Sequence, residues 1–138
     1  MLKKSDEDKI LQTLKSCTDF GNAAEHYRGL KIFGEKLKKN PQTSLMIRTF
    51  EALGNPDRIF ILESLKKQDR CVCELESILQ KSQPAISHHL KILENLKLIR
   101  GWKKGKFTHF SLVKPNFRKA LKLFTGLIDE TSNWFGEL

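Results

Sequence analysis

Cysteine is scarce in this 138-residue chain, and its three copies are an odd number. That excludes the disulfide framework of a small secreted domain and leaves free thiols or metal ligands as the expected cysteine chemistry, in a reducing compartment. Long apolar runs are also missing: nothing approaches the ~20 consecutive apolar residues of a membrane span. Met1 to Ile10 hold six charged side chains and no apolar stretch, unlike a secretory signal. A cytoplasmic protein with no membrane partner is therefore expected. No segment recurs with the period of about 20 to 50 residues that marks repeat architectures, and no stretch is of low complexity. There is no phosphate-cradling glycine loop and no paired-carboxylate site. Cys71 and Cys73 are spaced Cys-x-Cys rather than Cys-x-x-Cys, so a thiol oxidoreductase, and an enzyme generally, is not expected.

What the chain does have is positive charge. Lysine and arginine number 25 against 16 acidic residues, a formal net charge of +9, which favours a polyanionic partner. The excess is concentrated: residues 56 to 113 carry 11 basic and 6 acidic side chains, whereas residues 114 to 138 carry 4 and 3.

The length suits one domain with appendages. From Asp6 to about Ala24, the positions Ile10, Leu14, Cys17 and Ala24 form one stripe of an amphipathic helix. A charged connection from Glu35 to Gln42 follows, broken at Asn40-Pro41. Met46, Phe50 and Leu53 make a second stripe that ends at Gly54, a natural helix stop. Asn55-Pro56-Asp57 restarts a helix with a cap, a first-turn proline and an acid at the positive end of the dipole, and Ile59, Leu62 and Leu65 are its expected buried side. Val72, Leu75 and Leu79 mark a helix of about two turns. Ser82, as cap, and Pro84 then open another from Gln83 to about Leu96, giving a helix-turn-helix layout. Beyond it the apolar period falls to two. Ile99–Lys103 and Phe107–Val113 read as strands joined by a lysine-rich turn with Gly105. After Pro115 a last helix shows Phe117, Leu121, Phe124, Ile128 and Phe135 along one side, wide enough to pack on a partner subunit as well as on its own domain.

On a helical wheel, Ile86, Leu90, Ile92, Leu93 and Leu96 share one sector of the Gln83 helix. The opposite sector holds Gln83, Ser87, His88, Lys91 and Asn95. Short hydrogen-bonding side chains near the start of a second helix suit the reading of base edges in a major groove. A solvated face is the other reading, although such a face is more often filled with Glu and Lys. His88 points outward, while His89 lies beside Ile86 and Leu93 and is expected to be a satisfied inner residue. Lys103, Lys104 and Lys106 at the hairpin tip suit a wing on the phosphate backbone, with an ordinary soluble turn as the alternative. Trp102 and Phe107, at the wing base, read as packing residues, with stacking on bases left open.

Four segments carry a specific resemblance: Ala52-Leu53-Gly54-Asn55-Pro56-Asp57-Arg58, Cys71-Val72-Cys73-Glu74-Leu75, Ser82-Gln83-Pro84-Ala85-Ile86-Ser87-His88-His89-Leu90 and Gly105-Lys106-Phe107-Thr108-His109-Phe110. In order and spacing, over about residues 46 to 113, they resemble the ArsR/SmtB family of metal- and metalloid-responsive winged-helix repressors, most closely its arsenic-responsive branch. The resemblance implies a mainly α fold with a small β-hairpin, a homodimeric winged helix-turn-helix. It divides the chain into an N-terminal helical extension (1–45) for dimerisation, a DNA-binding domain (46–113) and a C-terminal dimerisation helix (114–138). It implies a repressor on double-stranded operator DNA, contacted by Ser82, Gln83, Ser87, His88, Lys91, Lys103, Lys104 and Lys106.

Cys71 and Cys73 point the same way if the chain is still extended before the helix, and two thiolates suit soft ions. Buried free cysteines are also common as small apolar residues. The resemblance favours a thiolate site that requires no resident cofactor and takes a regulatory ion: As(III) or Sb(III), or soft divalent Cd, Pb or Zn. Two departures from the family pattern stand out. Glu76 occupies the place where the arsenic branch often has a third cysteine, and residues 117 to 138 contain no histidine, which makes a zinc site on the last helix unexpected. Cys17 is the candidate third thiolate, reaching across the dimer; it also fits the apolar stripe. Release from the operator then follows by linkage, with a typical coupling of ~1–3 kcal/mol. The alternatives are a repressor of the same fold that senses oxidation or persulfide through its thiols, and an architectural DNA-binding protein that senses nothing.

Overall fold

Asn55 shows how local chemistry divides this chain into elements. Its Oδ1 accepts the amide of Arg58 at 3.2 Å, and Pro56, which has no amide hydrogen to lose, takes the first helical position. One residue earlier, Gly54 closes the preceding helix: its amide donates to the Phe50 carbonyl at 2.8 Å, and a Cβ there would lie 3.1 Å from that same oxygen.

The computed structural model describes residues 1–17 and 21–129. The elements are α1 (Lys4–Cys17), α2 (Ala23–Lys39), α3 (Pro41–Leu53), α4 (Pro56–Leu65), β1 (Arg70–Cys71), α5 (Val72–Leu79), α6 (Gln83–Asn95), β2 (Ile99–Lys104), β3 (Phe107–Leu112) and α7 (Lys114–Thr125). They form two compact units, one up to Ser44 and one from Leu45 onward.

The first unit differs from the expected single helix and charged connection. α1 ends at Cys17, Asn22 caps a new helix by accepting the Glu25 amide at 3.2 Å, and Ala24 belongs to that second helix. The supposed connection from Glu35 is the last turn of α2, where Lys36, Lys38 and Lys39 sit favourably at the negative end of the dipole. A Lys31–Glu7 ion pair of 3.3 Å ties the two helices. Neither buries a residue.

The second unit holds the core. Ile61, Leu75, Ile86, Leu93 and Ile99 are fully buried and bring α4, α5, α6 and β2 onto one centre, with Leu62, Leu65, Leu90, Leu98 and Phe110 around them. The inner side of α4 is rotated from the expected one: Ile61 is enclosed and Ile59 is exposed. Three apolar positions in a ten-residue helix fix a face only to within one residue's ~100° step.

The sheet has three strands in the order β1-β3-β2, all antiparallel. The hairpin was expected; β1 was not. It is two residues long, and it pairs Arg70 with Phe110 and Cys71 with His109. In the hairpin, Ile99 faces Leu112 and Lys104 faces Phe107, leaving Gly105 (φ +60) and Lys106 as the turn. Glycine is needed there because a side chain disfavours that backbone region.

α7 lays Phe117 on the core and leaves Leu121 and Phe124 exposed, with Ile128 exposed just beyond its end. The Phe124 ring meets Phe50 of α3 edge-on at 5.5 Å. With Met46, Leu53 and Leu121 these rings line an apolar face of the second unit. Phe135 lies outside the described residues.

Candidate nucleic-acid interface and thiol pair

α6 is the second helix of the helix-turn-helix. Gln80 ends α5 in the left-handed conformation (φ 52), which turns the chain sharply enough for Ser82 to start α6 two residues later. Ser82 occupies the cap position in an extended conformation, but its hydroxyl makes no capping hydrogen bond, contrary to expectation. It is exposed. So are Gln83, His88, Lys91 and Asn95, while Ser87 is half-buried. The polar sector is thus outside and Ile86, Leu90 and Leu93 are inside.

His89 turns inward. Its Nε2 lies 3.4 Å from Asp57 Oδ2, and its Nδ1 is 3.5 Å from the Arg58 guanidinium. Burial lowers its pKa below the usual histidine value; the attraction of Asp57 opposes this and the Arg58 guanidinium adds to it. Asp57 also holds Lys81 of the turn at 3.5 Å. Arg58 donates to the carbonyls of Ala52 and Glu51, the latter at 3.0 Å. Its charge thus sits at the negative end of α3. Together Asp57 and Arg58 fix α6 against α3 and α4. The helical wheel located His89, but nothing in the sequence singled out Arg58, whose bonding partners are backbone oxygens.

The wing is braced from both sides. Gly101 donates its amide to Glu94 Oε1 of α6 at 3.1 Å, and a Cβ at Gly101 would come within 3.2–3.3 Å of the Phe110 ring, the Glu94 carboxylate and the Thr108 methyl. Trp102 donates to Asp69 Oδ2 and Ser111 Oγ, each at 2.9 Å, Ser111 donates to the same carboxylate oxygen, and the indole stacks on His109 at 5.2 Å. Trp102 is thereby a packing residue. Phe107 is not at the base: it pairs with Lys104 beside the turn and is half exposed, with Lys106 Nζ 5.5 Å from its ring centre. Lys103, Lys104 and Lys106 are all exposed.

Cys71 is both the last residue of β1 and the N-cap of α5. Its amide donates to Glu74 Oε2 at 2.8 Å, one half of a capping box in which the cysteine sulfur stands where serine is usual. Cys71 is buried and Cys73 is exposed. The chain is not extended across the pair as expected: only Cys71, at the N-cap, is extended, and Cys73 already lies in the first turn of α5. The turn brings their sulfurs together as a disulfide across a Cα separation of 5.5 Å, a common spacing for such a bond. Metal ligation needs thiolates, so this pair fits a soft ion only once reduced. Among the described residues no group of three Cys, His or carboxylate side chains is arranged to hold a metal. Cys17, free and exposed, lies on α1 in the first unit.

A family model described as "Bacterial regulatory protein, arsR family" matches residues 55–100, from the cap of α4 into β2. An uncharacterised HTH-type transcriptional regulator of Methanocaldococcus jannaschii is 36% identical over 75 residues, 54% of this chain and 84% of that protein. A cadmium resistance transcriptional regulatory protein CadC homolog of Staphylococcus aureus is 34% identical over 86 residues, 62% of this chain and 69% of the relative. Among solved structures, a possible transcriptional regulator for arsenical resistance superposes with a TM-score of 0.53 at 26% identity, covering 56% of this chain and 81% of that one.

Proposed function

The chain belongs to the ArsR family of bacterial regulatory proteins, and from that premise we propose that it is a homodimeric repressor whose operator affinity is set by the chemical state of Cys71 and Cys73. The observation that carries this is position. Cys71 closes β1, which pairs with the wing strand β3, and it opens α5, the first helix of the helix-turn-helix. A change at its sulfur therefore acts on both DNA-facing elements. α6 reads base edges with Ser82, Gln83, Ser87 and His88, Lys91 reaches the backbone, and Lys103, Lys104 and Lys106 of the wing neutralise phosphates.

The signal in this reading is a soft ion held by the reduced pair, arsenite or antimonite first and Cd, Pb or Zn next, with Cys17 reaching across the dimer as third thiolate. The cadmium- and arsenic-named relatives support it. A second reading is favoured by the disulfide itself: the two thiols lose two electrons and two protons to a peroxide, which leaves as water, and the bonded form is the released or the binding state.

Fluorescence anisotropy of the reduced protein on its own upstream DNA, titrated with arsenite, antimonite, cadmium, zinc and peroxide, separates these. Release by one ion, lost in Cys71→Ser and Cys73→Ser, is the expected result. Release by peroxide alone selects the redox reading. If both variants release with arsenite as readily as the parent, the thiol assignment is wrong. Tight binding indifferent to all five reagents points to an inert thiol site, with a different signal or none.

A further inference from the structure

A cavity of about 260 Å³ opens where the C-terminal end of α6 meets α3 and α7. Its walls are aliphatic, with Leu45, Leu96, Leu98 and Leu123. Arg48, Lys97 and Lys119 also line it, and no acidic residue does. The three cations come from α3, the turn after α6 and α7, so the positive rim belongs to the tertiary fold and is not the solvated face of one helix.

Lys97 has φ 56 because it closes α6: its amide donates to the Glu94 carbonyl at 2.8 Å and the Leu98 amide to the Leu93 carbonyl at 3.1 Å, the common left-handed helix stop. Here Asn116 of α7 donates Nδ2 to the Lys97 carbonyl at 2.8 Å, and Asn116 is itself a cavity residue. The bond fixes the backbone at the cavity mouth.

Apolar walls with a few convergent polar groups are the make-up of a small-molecule site, and at about 260 Å³ this one falls below the ~300 Å³ at which sites for drug-sized molecules begin, so it suits a smaller ligand. A phosphate contact needs the cations but has no use for four leucines. We propose that this cavity binds a small amphipathic anion, a medium-chain aliphatic carboxylate, with its tail against Leu96, Leu98 and Leu123 and its carboxylate among Arg48, Lys97 and Lys119. The site shares no residue with the thiol pair and stands whether or not that pair is the sensor.

Isothermal titration of the full-length chain with octanoate, and with octylammonium as the tail-matched cation, tests this. Octanoate binds with Kd on the order of 0.1–1 mM, as ~10 non-hydrogen atoms allow, and octylammonium gives no binding. The double variant Lys97→Asn/Lys119→Gln weakens octanoate at least about tenfold, a loss of ~1.4 kcal/mol. Asparagine tolerates the left-handed backbone, and both positions are exposed, so the fold survives, as far-UV circular dichroism verifies. In methyl NMR spectra octanoate shifts Leu98 and Leu123. The proposal is overturned if octanoate does not bind, if octylammonium binds equally, if the double variant retains full affinity, or if the shifted signals lie elsewhere.

Discussion

His89 Nε2 lies 3.4 Å from Asp57 Oδ2, so one ionisable contact anchors α6 to the start of α4. Burial lowers the His89 pKa below 6.5 even beside this carboxylate. Folding thus favours neutral imidazole: stability is full above about pH 6.5 and falls as acid protonates His89, down through the lowered native pKa. The melting temperature of the parent therefore declines more between pH 7 and 5 than that of His89→Gln. Asp57→Asn removes the opposing anion and steepens the decline. Parallel melting curves for parent and His89→Gln across that range would show that His89 does not titrate in this way.

Gly101 has no room for a side chain. A Cβ would press on the Phe110 ring, the Glu94 carboxylate and Thr108 at 3.2–3.3 Å, so Gly101→Val costs about 1–3 kcal/mol, the usual range for overpacking. Urea denaturation measures the loss. Because the bond from Gly101 to Glu94 joins wing and α6, DNA affinity falls in the same variant at temperatures where it remains folded.

Leu75 is wholly enclosed, and Leu75→Ala removes atoms that no neighbour can replace, at a cost of about 2–5 kcal/mol. Leu121 is 60% exposed, so Leu121→Glu leaves the fold of a protomer intact. If the face of α3 and α7 is the dimer contact, the same substitution raises the dimer dissociation constant. Sedimentation equilibrium reads this directly; an unchanged constant places the contact elsewhere.

In the proposed repressor the wing lysines act through charge. Lys104→Gln and Lys106→Gln each lower the salt dependence of DNA binding by about one counterion and weaken operator and random DNA alike. Ser87→Ala, in contrast, alters discrimination between operator and mismatched sites with the salt slope unchanged. Anisotropy titrations over a range of salt concentrations distinguish the two behaviours.

What the sequence disclosed was what short-range chemistry dictates. The Asn55-Pro56 start, the Gly54 stop and the Ile86–Leu90–Leu93 stripe involve partners within a few residues, and each stands where the pattern put it. β1 was hidden because two residues carry no periodicity and their partners, His109 and Phe110, lie far along the chain. The rotation of α4 toward Ile61, the backbone clamp of Arg58 and the place of Phe107 beside the turn depend on neighbouring elements rather than on local spacing. The new start at Asn22 was obscured because Ala24 continued the apolar stripe by coincidence of phase.

Among the described residues the strand order β1-β3-β2 leaves the outer side of β2 without a neighbouring strand, and an open strand edge invites pairing with another copy. Glu94 already occupies the Gly101 amide, and Arg100, Lys103 and Lys104 charge the rest of this short strand. The same cations that suit a phosphate backbone therefore also keep copies of the protein from adding edge to edge. Neutralising them for the sake of specificity carries a cost in solubility, greatest when no nucleic acid covers the wing.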